Sequence, residues 1–264
     1  MTLDELFGAL WDRYRELTPQ AEKVRMQLQE RGERVINDHI AFRTLNDPRL
    51  GIDGIARPFL ELGYEPRDEY RFEAKKLFAR YYAHPDEPDA PKVFISELIL
   101  EECSDNLRRT MMELVDQLSA VTLSDPMFLN TGRPWSVDHA TYRTLYEESE
   151  YAAWLSAFGF CANHFTVLFN RLETFETLEE LARFIEDAGY PMNRSGGLIK
   201  GSPDVYLEQC ATMATRVPVT FYDGTFELPS CFYEFARRYP MPDGQLYQGF
   251  VAASADKIFE STNQ

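Results

Sequence analysis

The feature that most constrains this chain is a repeat. His39 lies on an apolar segment, and the helical stretch after it stops at Gly63-Tyr64. His164 lies on a second apolar segment, and after nearly the same interval a second helical stretch stops at Gly189-Tyr190. Self-similarity at a fixed spacing marks a duplicated supersecondary unit. Each copy reads strand, helix, then further strands. Paired units of this kind close into a curved sheet around a shared concave pocket. Equivalent positions then face each other, and two histidines far apart in sequence become neighbours. The expected fold class is α+β: two βαβββ modules forming a curved mixed sheet.

The punctuation divides 1–264 into parts of one metallo-enzyme domain. Residues 1–34 are N-terminal helices, opened by the capping box Thr2-Leu3-Asp4-Glu5. Residues 35–101 are the first module, with a strand over 35–45, a helix over 53–63, and strands at Leu77 to Tyr82 and Val93 to Leu100. His84 falls in the turn between those two strands, beside Pro85 and Pro88, and reads as solvated. Residues 102–159 form a helical connector: an amphipathic helix through Leu107 to Leu118, a loop marked by Pro126, Gly132 and Pro134, and a helix over 144–157. Residues 160–240 are the second module. Its first strand runs from Phe160 to Phe169, and a capping box at Thr177-Leu178-Glu179-Glu180 opens a helix ending at Gly189. Strands follow near 197–200, 205–213, 216–222 and 226–236. The tail, 241–264, reads as a loop and a short helix.

Charge narrows the function. Lys plus Arg number 27 against 43 Asp plus Glu, a net charge of −16. Such a chain repels phosphate backbones and anionic membranes, so nucleic acid and membrane are excluded as partners. A small acidic substrate is not, because a local Arg or metal reverses the field inside a pocket. Four cysteines form no CxxC pair, which reads as free thiols in a reducing compartment. The N-terminus has no signal-peptide pattern and no apolar run spans a bilayer, so the expectation is a soluble cytoplasmic protein. The oligomeric state is not readable.

The candidate chemistry begins at Asp38-His39-Ile40-Ala41-Phe42-Arg43-Thr44. On a strand, alternation puts His39, Ala41 and Arg43 on one face, with the His and Arg α-carbons ~13 Å apart. A small acid can be held between a metal at His39 and the guanidinium of Arg43. His164 is the equivalent ligand of the second copy. His139, in Asp138-His139-Ala140-Thr141-Tyr142-Arg143, copies the local spacing but lacks the strand–helix–Gly-Tyr unit; it ranks below His164, with a supporting role left open. Two histidines and one carboxylate make the facial triad of non-haem Fe(II) oxygenases. Glu234, on the aromatic strand Phe232-Tyr233-Glu234-Phe235, is the best third ligand, with an ion pair to Arg237 or Arg238 as the alternative. Glu97, on a late strand of the first module, would make a four-ligand site suited to glyoxalase-like lyase or isomerase chemistry. A non-catalytic, metal-dependent binder of a small acid is the remaining alternative. Lys200, after Gly196-Gly197, is placed at the pocket mouth. Gln209 is a candidate substrate contact.

These motifs resemble the 2-oxoadipate dioxygenase/decarboxylase family, of the vicinal-oxygen-chelate fold. The matching pieces are Asp38 to Thr44, Asn163-His164-Phe165-Thr166, Gly196 to Pro203, Tyr206-Leu207-Glu208-Gln209 and Phe232 to Arg238. Phe232-Tyr233-Glu234, Gly249-Phe250 and Phe259-Glu260-Ser261 also resemble the end of 4-hydroxyphenylpyruvate dioxygenase. The resemblance implies Fe(II) on His39, His164 and Glu234, with Arg43 on a substrate carboxylate. It implies that 2-oxoadipate and O₂ give 2-hydroxyglutarate and CO₂, a step placed in lysine catabolism. The chain is shorter than that family's enzymes, so the length of the 2-oxo acid stays open.

Overall fold

The computed structural model describes residues 1–119, 125 and 127–262. In chain order, α1 (Leu3–Leu17) and α2 (Pro19–Glu30) precede β1 (Asn37–Leu45), α3 (Ile52–Leu60), β2 (Glu65–Phe72), β3 (Leu77–Ala83) and β4 (Lys92–Leu98). The connector carries α4 (Asp105–Val115), α5 (His139–Glu148) and α6 (Glu150–Phe158). Then come β5 (Ala162–Leu168), α7 (Leu178–Asp187), β6 (Lys200–Ser202), β7 (Leu207–Ala211), β8 (Arg216–Phe221), β9 (Gly224–Pro229), β10 (Phe232–Arg238) and α8 (Ala252–Ile258).

Eight strands form one mixed sheet in the order β2-β3-β4-β1-β5-β10-β7-β6. The order is the same in both directions from the centre. β1 pairs in parallel with β4, and β5 in parallel with β10, while β1 and β5 meet antiparallel. The expected duplication is therefore present in the topology. Both helix stops are Schellman turns: Tyr64 N–H bonds Phe59 O, and Tyr190 N–H bonds Ile185 O. Gly63 and Gly189 stand at φ +94° and +91°, a region closed to most L residues, which is why each copy has Gly there.

Alternation separates the two faces of the central pair. Ile40 and Phe165 point to the convex side, where Trp11 and Tyr14 of α1 pack on the Phe165 ring at 5.1 and 4.9 Å between centroids. The Tyr14 hydroxyl donates to the Phe232 carbonyl, pinning α1 to β10. His39 and His164 point to the concave side.

Several expectations change. The strand expected over 226–236 is two, β9 and β10, broken at Ser230-Cys231. β8 and β9 form a separate hairpin, an insertion in the second βαβββ module, so of the two strands β9 and β10 it is β10 that joins the main sheet. The helix expected over 144–157 breaks where the Ser149 hydroxyl caps α6 by accepting the Ala152 N–H. Pro126 lies outside the described residues. His84 is half-buried rather than solvated. One ring nitrogen meets the Leu62 carbonyl at 3.1 Å, and the other accepts the N–H groups of Asp86 and Glu87.

Candidate metal centre

β1 and β5 each carry a bulge at the residue before the histidine. His39 pairs with Thr166 and Asn37 with Val167, so Asp38 is skipped; Ala41 pairs with His164 and Phe42 with Ala162, so Asn163 is skipped. A bulge re-aims side chains locally. Here it lets consecutive residues, Asp38-His39 and Asn163-His164, touch through their side chains.

The two imidazoles turn their Nε2 atoms toward each other, 3.4 Å apart. Glu234 reaches in from β10, with Oε1 3.6 Å from His39 Nε2 and Oε2 3.3 Å from His164 Nε2. All three side chains are buried. Among the described residues these three form the cluster able to hold a metal ion. Bonds of ~2.0–2.2 Å from one central ion give donor–donor edges of about this length. Glu234 Oε2 is buried and has no hydrogen-bond partner. Leaving a carboxylate oxygen so placed costs several kcal/mol unless a cation meets it. The donor set and the orphaned oxygen fit a divalent metal.

The neighbours fix the protonation states the metal needs. Asp38 Oδ1 lies 2.8 Å from His39 Nδ1. Arg238 grips the same carboxylate with two bonds, Nε to Oδ2 at 2.6 Å and Nη2 to Oδ1 at 2.8 Å. Burial works to raise the Asp38 carboxyl, but Arg238 and Lys92 outweigh it and hold it well below the usual range. An ionised carboxylate can only accept, so His39 carries its proton on Nδ1 and offers the lone pair of Nε2. At His164, burial first, then His39 and Arg43, push the imidazole well below its ordinary value, so it is neutral near pH 7. Burial raises Glu234 from its ordinary value, against the pull of His39 and a 2.6 Å bond donated by Gln209 Nε2 to Oε1.

The sequence-derived residues divide. His39, His164 and Glu234 converge, and Arg43 and Gln209 line the same cavity. Gln209 contacts Glu234 directly. Neither arginine of the alternative pairs with Glu234: Arg238 holds Asp38, and Arg237 donates to the Glu176 carbonyl. Lys200 is not at the mouth. It is buried, its Nζ donates to the carbonyls of Asn193 and Leu198, and burial pushes it down to about 8. Glu97 is not a fourth ligand. Phe94 and Ser96 line the cavity, so alternation turns Glu97 to the opposite face, where it accepts the Ile52 N–H at 2.9 Å. His139 lies apart at the start of α5, stacked on Phe226 at 3.6 Å. Sequence reasoning missed Asp38 as the partner of His39 and Arg238 as the partner of Asp38. The available signal was the polar residue, carboxylate or amide, directly before each histidine.

Phe250, in the loop before α8, packs edge-on to His39 with centroids 4.8 Å apart, and Ile258 and Phe259 complete an apolar cover. Arg43 sits beneath the rings of Tyr151 and Trp154, 4.9 and 5.0 Å from their centroids. Its Nη1 donates to Glu150 at 2.9 Å and its Nη2 to Thr262 at 3.0 Å. The cavity thus has a buried guanidinium with one unpartnered donor, Nε, at one side, His39, His164 and Glu234 at the floor and aromatic walls.

The sequence profile of the 2-oxoadipate dioxygenase/decarboxylase family matches residues 4–245. The chloroplastic 2-oxoadipate dioxygenase/decarboxylase of Arabidopsis thaliana is 36% identical over 255 residues, covering 86% of this chain and 68% of that protein. The crystal structure of the Oryza sativa hydroxyglutarate synthase in complex with 2-oxoadipate superposes with a TM-score of 0.90 at 30% identity, over 98% of this chain and 91% of that one. A Shewanella frigidimarina protein, provisionally labelled a hydrolase, superposes at 0.91 with 50% identity over 95% of this chain and 98% of its own. A Ralstonia eutropha protein assigned to the glyoxalase superfamily, 23% identical with a TM-score of 0.77 over 94% and 85% of the two chains, shares the fold alone.

Proposed function

The chain belongs to the 2-oxoadipate dioxygenase/decarboxylase family, and from that premise we propose that it holds Fe(II) on His39, His164 and Glu234 and converts 2-oxoadipate and O₂ to 2-hydroxyglutarate and CO₂. The observation that carries the metal is the buried Glu234 carboxylate, its Oε1 facing His39 Nε2 and its Oε2, which has no hydrogen-bond partner, facing His164 Nε2. A ferrous ion bound by two histidines and one carboxylate keeps positions open and supplies the redox chemistry that couples O₂ to decarboxylation of a 2-oxo acid.

The protein's own part follows from the geometry. Asp38, clamped by Arg238, keeps the proton of His39 on Nδ1. Gln209 fixes the plane of the Glu234 carboxylate. Phe94, Phe250 and Phe259 exclude water, which strengthens every electrostatic contact inside. Arg43 receives the carboxylate remote from the oxo group, its guanidinium held in orientation by Glu150 and by the rings of Tyr151 and Trp154. No helix among the described residues is long and apolar enough to cross a membrane. The four free cysteines fit a reducing compartment, and the cytoplasm is the one we propose.

The test is O₂ uptake by anaerobically purified, Fe(II)-loaded protein across a series of 2-oxo acids. We expect 2-oxoadipate to be consumed with one O₂ taken up and one CO₂ released. Arg43→Ala is expected to raise KM for the diacid by about tenfold to a hundredfold, the worth of a charge-assisted hydrogen bond, and far more than for 2-oxohexanoate. Turnover that persists without O₂ on Zn(II) or Ni(II) would mean a lyase instead, and binding without turnover a sequestering protein.

A further inference from the structure

Arg43 is not the only cavity residue with an uncommitted donor. Asn163 occupies the bulge of β5, is buried, and lines the cavity beside His164. Its Oδ1 lies 3.3 Å from His164 Nδ1. A metal on Nε2 leaves the ring proton on Nδ1, so the amide oxygen must face it and accept. The amide nitrogen is then turned away from the ring, and Nδ2 has no partner in the structure. Arg43 Nε, lining the same cavity, is likewise buried and unpartnered, while both Nη atoms are engaged. The two residues lie diagonally across β1 and β5, on either side of the Phe42–Ala162 pair, and both line the cavity.

Two buried donors left open in one pocket call for an acceptor, because an unsatisfied N–H is costly and native interiors rarely leave one so. The first module shows the contrast. The counterpart of Asn163 is Asp38, and both of its oxygens are taken by Arg238 and His39. An amide at 163 does what Asp38 does for its histidine and keeps a hydrogen-bond donor in reserve.

We propose that Asn163 is a substrate-specificity residue: its Nδ2 and Arg43 Nε jointly receive the remote carboxylate of the 2-oxo diacid. The inference rests on the proposed function above. It assigns Asn163 two tasks, orienting His164 through Oδ1 and binding the anion through Nδ2.

Asn163→Asp separates them. The aspartate still accepts from His164 Nδ1, as Asp38 does in the other module, but presents an anionic oxygen where the donor stood. The experiment is anaerobic calorimetry of the metal-loaded protein with 2-oxoadipate and with 2-oxohexanoate, with metal content measured on each sample. For Asn163→Asp we expect retained metal and a diacid-to-monoacid affinity ratio lowered by about tenfold to a hundredfold. Asn163→Ala removes both the donor and the Oδ1 acceptor without adding charge; compared at equal metal loading, it should lower the ratio in the same direction by less, and it serves if the aspartate variant does not fold. An unchanged ratio in a folded, metal-loaded variant overturns the assignment of Asn163 and leaves the proposed function standing. A wild-type protein that binds neither 2-oxo acid removes the proposed function, and this inference with it.

Discussion

Two strands that occupy the same place in the two modules end in different chemistry. In the second module Thr166, two residues after His164, pairs across β5 and β10 with Glu234. In the first, Ala41, two residues after His39, pairs across β1 and β4 with Phe94. Phe94 packs on Phe250 with centroids 4.9 Å apart, and Phe250 in turn lies against His39. One module therefore contributes the buried carboxylate that meets both imidazoles, and the other closes the facing side with aromatic rings. The same inequality appears one residue before each histidine, where Asp38 is ionised and clamped while Asn163 is neutral. Duplication supplies two imidazoles from one design. The departures from symmetry make the site polar on one side and open to a substrate.

The severest test of this contrast is removal of each counterpart. Glu234→Ala should reduce bound metal to background, read by metal analysis after reconstitution. Phe94→Ala should keep the metal and instead lower stability by about 3–5 kcal/mol for a deleted core aromatic. Equal loss of metal in both would erase the distinction between the modules.

Making the first module resemble the second is the next test. Asp38→Asn keeps an acceptor for His39 but strips Arg238 of its counter-charge. Breaking a buried pair in this way costs about 3–5 kcal/mol, and loss of a carboxylate behind a metal-binding histidine costs about tenfold to a hundredfold in metal affinity. Denaturant unfolding and competitive metal titration measure the two. If Asp38→Asn behaves as wild type in both, the Asp38–Arg238 pair is dispensable and the modules are functionally equal.

A smaller effect sharpens the role of Glu234. Its carboxyl is raised in the folded protein, so the unfolded chain ionises first as pH rises. The metal-free protein should then lose stability as pH climbs from the unfolded value, ~4.3, through the folded one. Glu234→Gln should flatten that slope in thermal melts and stabilise the metal-free protein at neutral pH by roughly 1 kcal/mol. A slope that survives the substitution belongs to another group. The smallest change in metal is expected for His139→Ala. It should leave metal content untouched and cost about 0.5–1.5 kcal/mol for the lost stack on Phe226.

Much of this was legible because the signals are local. A helix stop that needs a left-handed residue leaves Gly in both copies, and a strand that buries one face leaves an alternating pattern. His39, His164 and Glu234 are polar residues on apolar strands, which is costly without a purpose. Glu97 carries the same signal and was misplaced, because a one-residue change along β4 turns a side chain to the other face. The hairpin of β8 and β9 was hidden for a related reason: its strands alternate like any others, and nothing local says which sheet they join. Lys200 reads as a surface residue by type, and only packing shows its ammonium turned inward onto two carbonyls.

By itself the sequence determined the repeat, the strand–helix–strand order of each copy and the two histidines that occupy equivalent places in them, since these follow from periodicity and from the cost of burying polar groups. The tertiary structure alone decided which acid meets the histidines, which residues hold Asp38 and Arg43, and which donors are left for a substrate. Those outcomes depend on strand register, bulges and contacts between residues as distant as Asp38 and Arg238, and such contacts leave no mark on the local pattern of either segment.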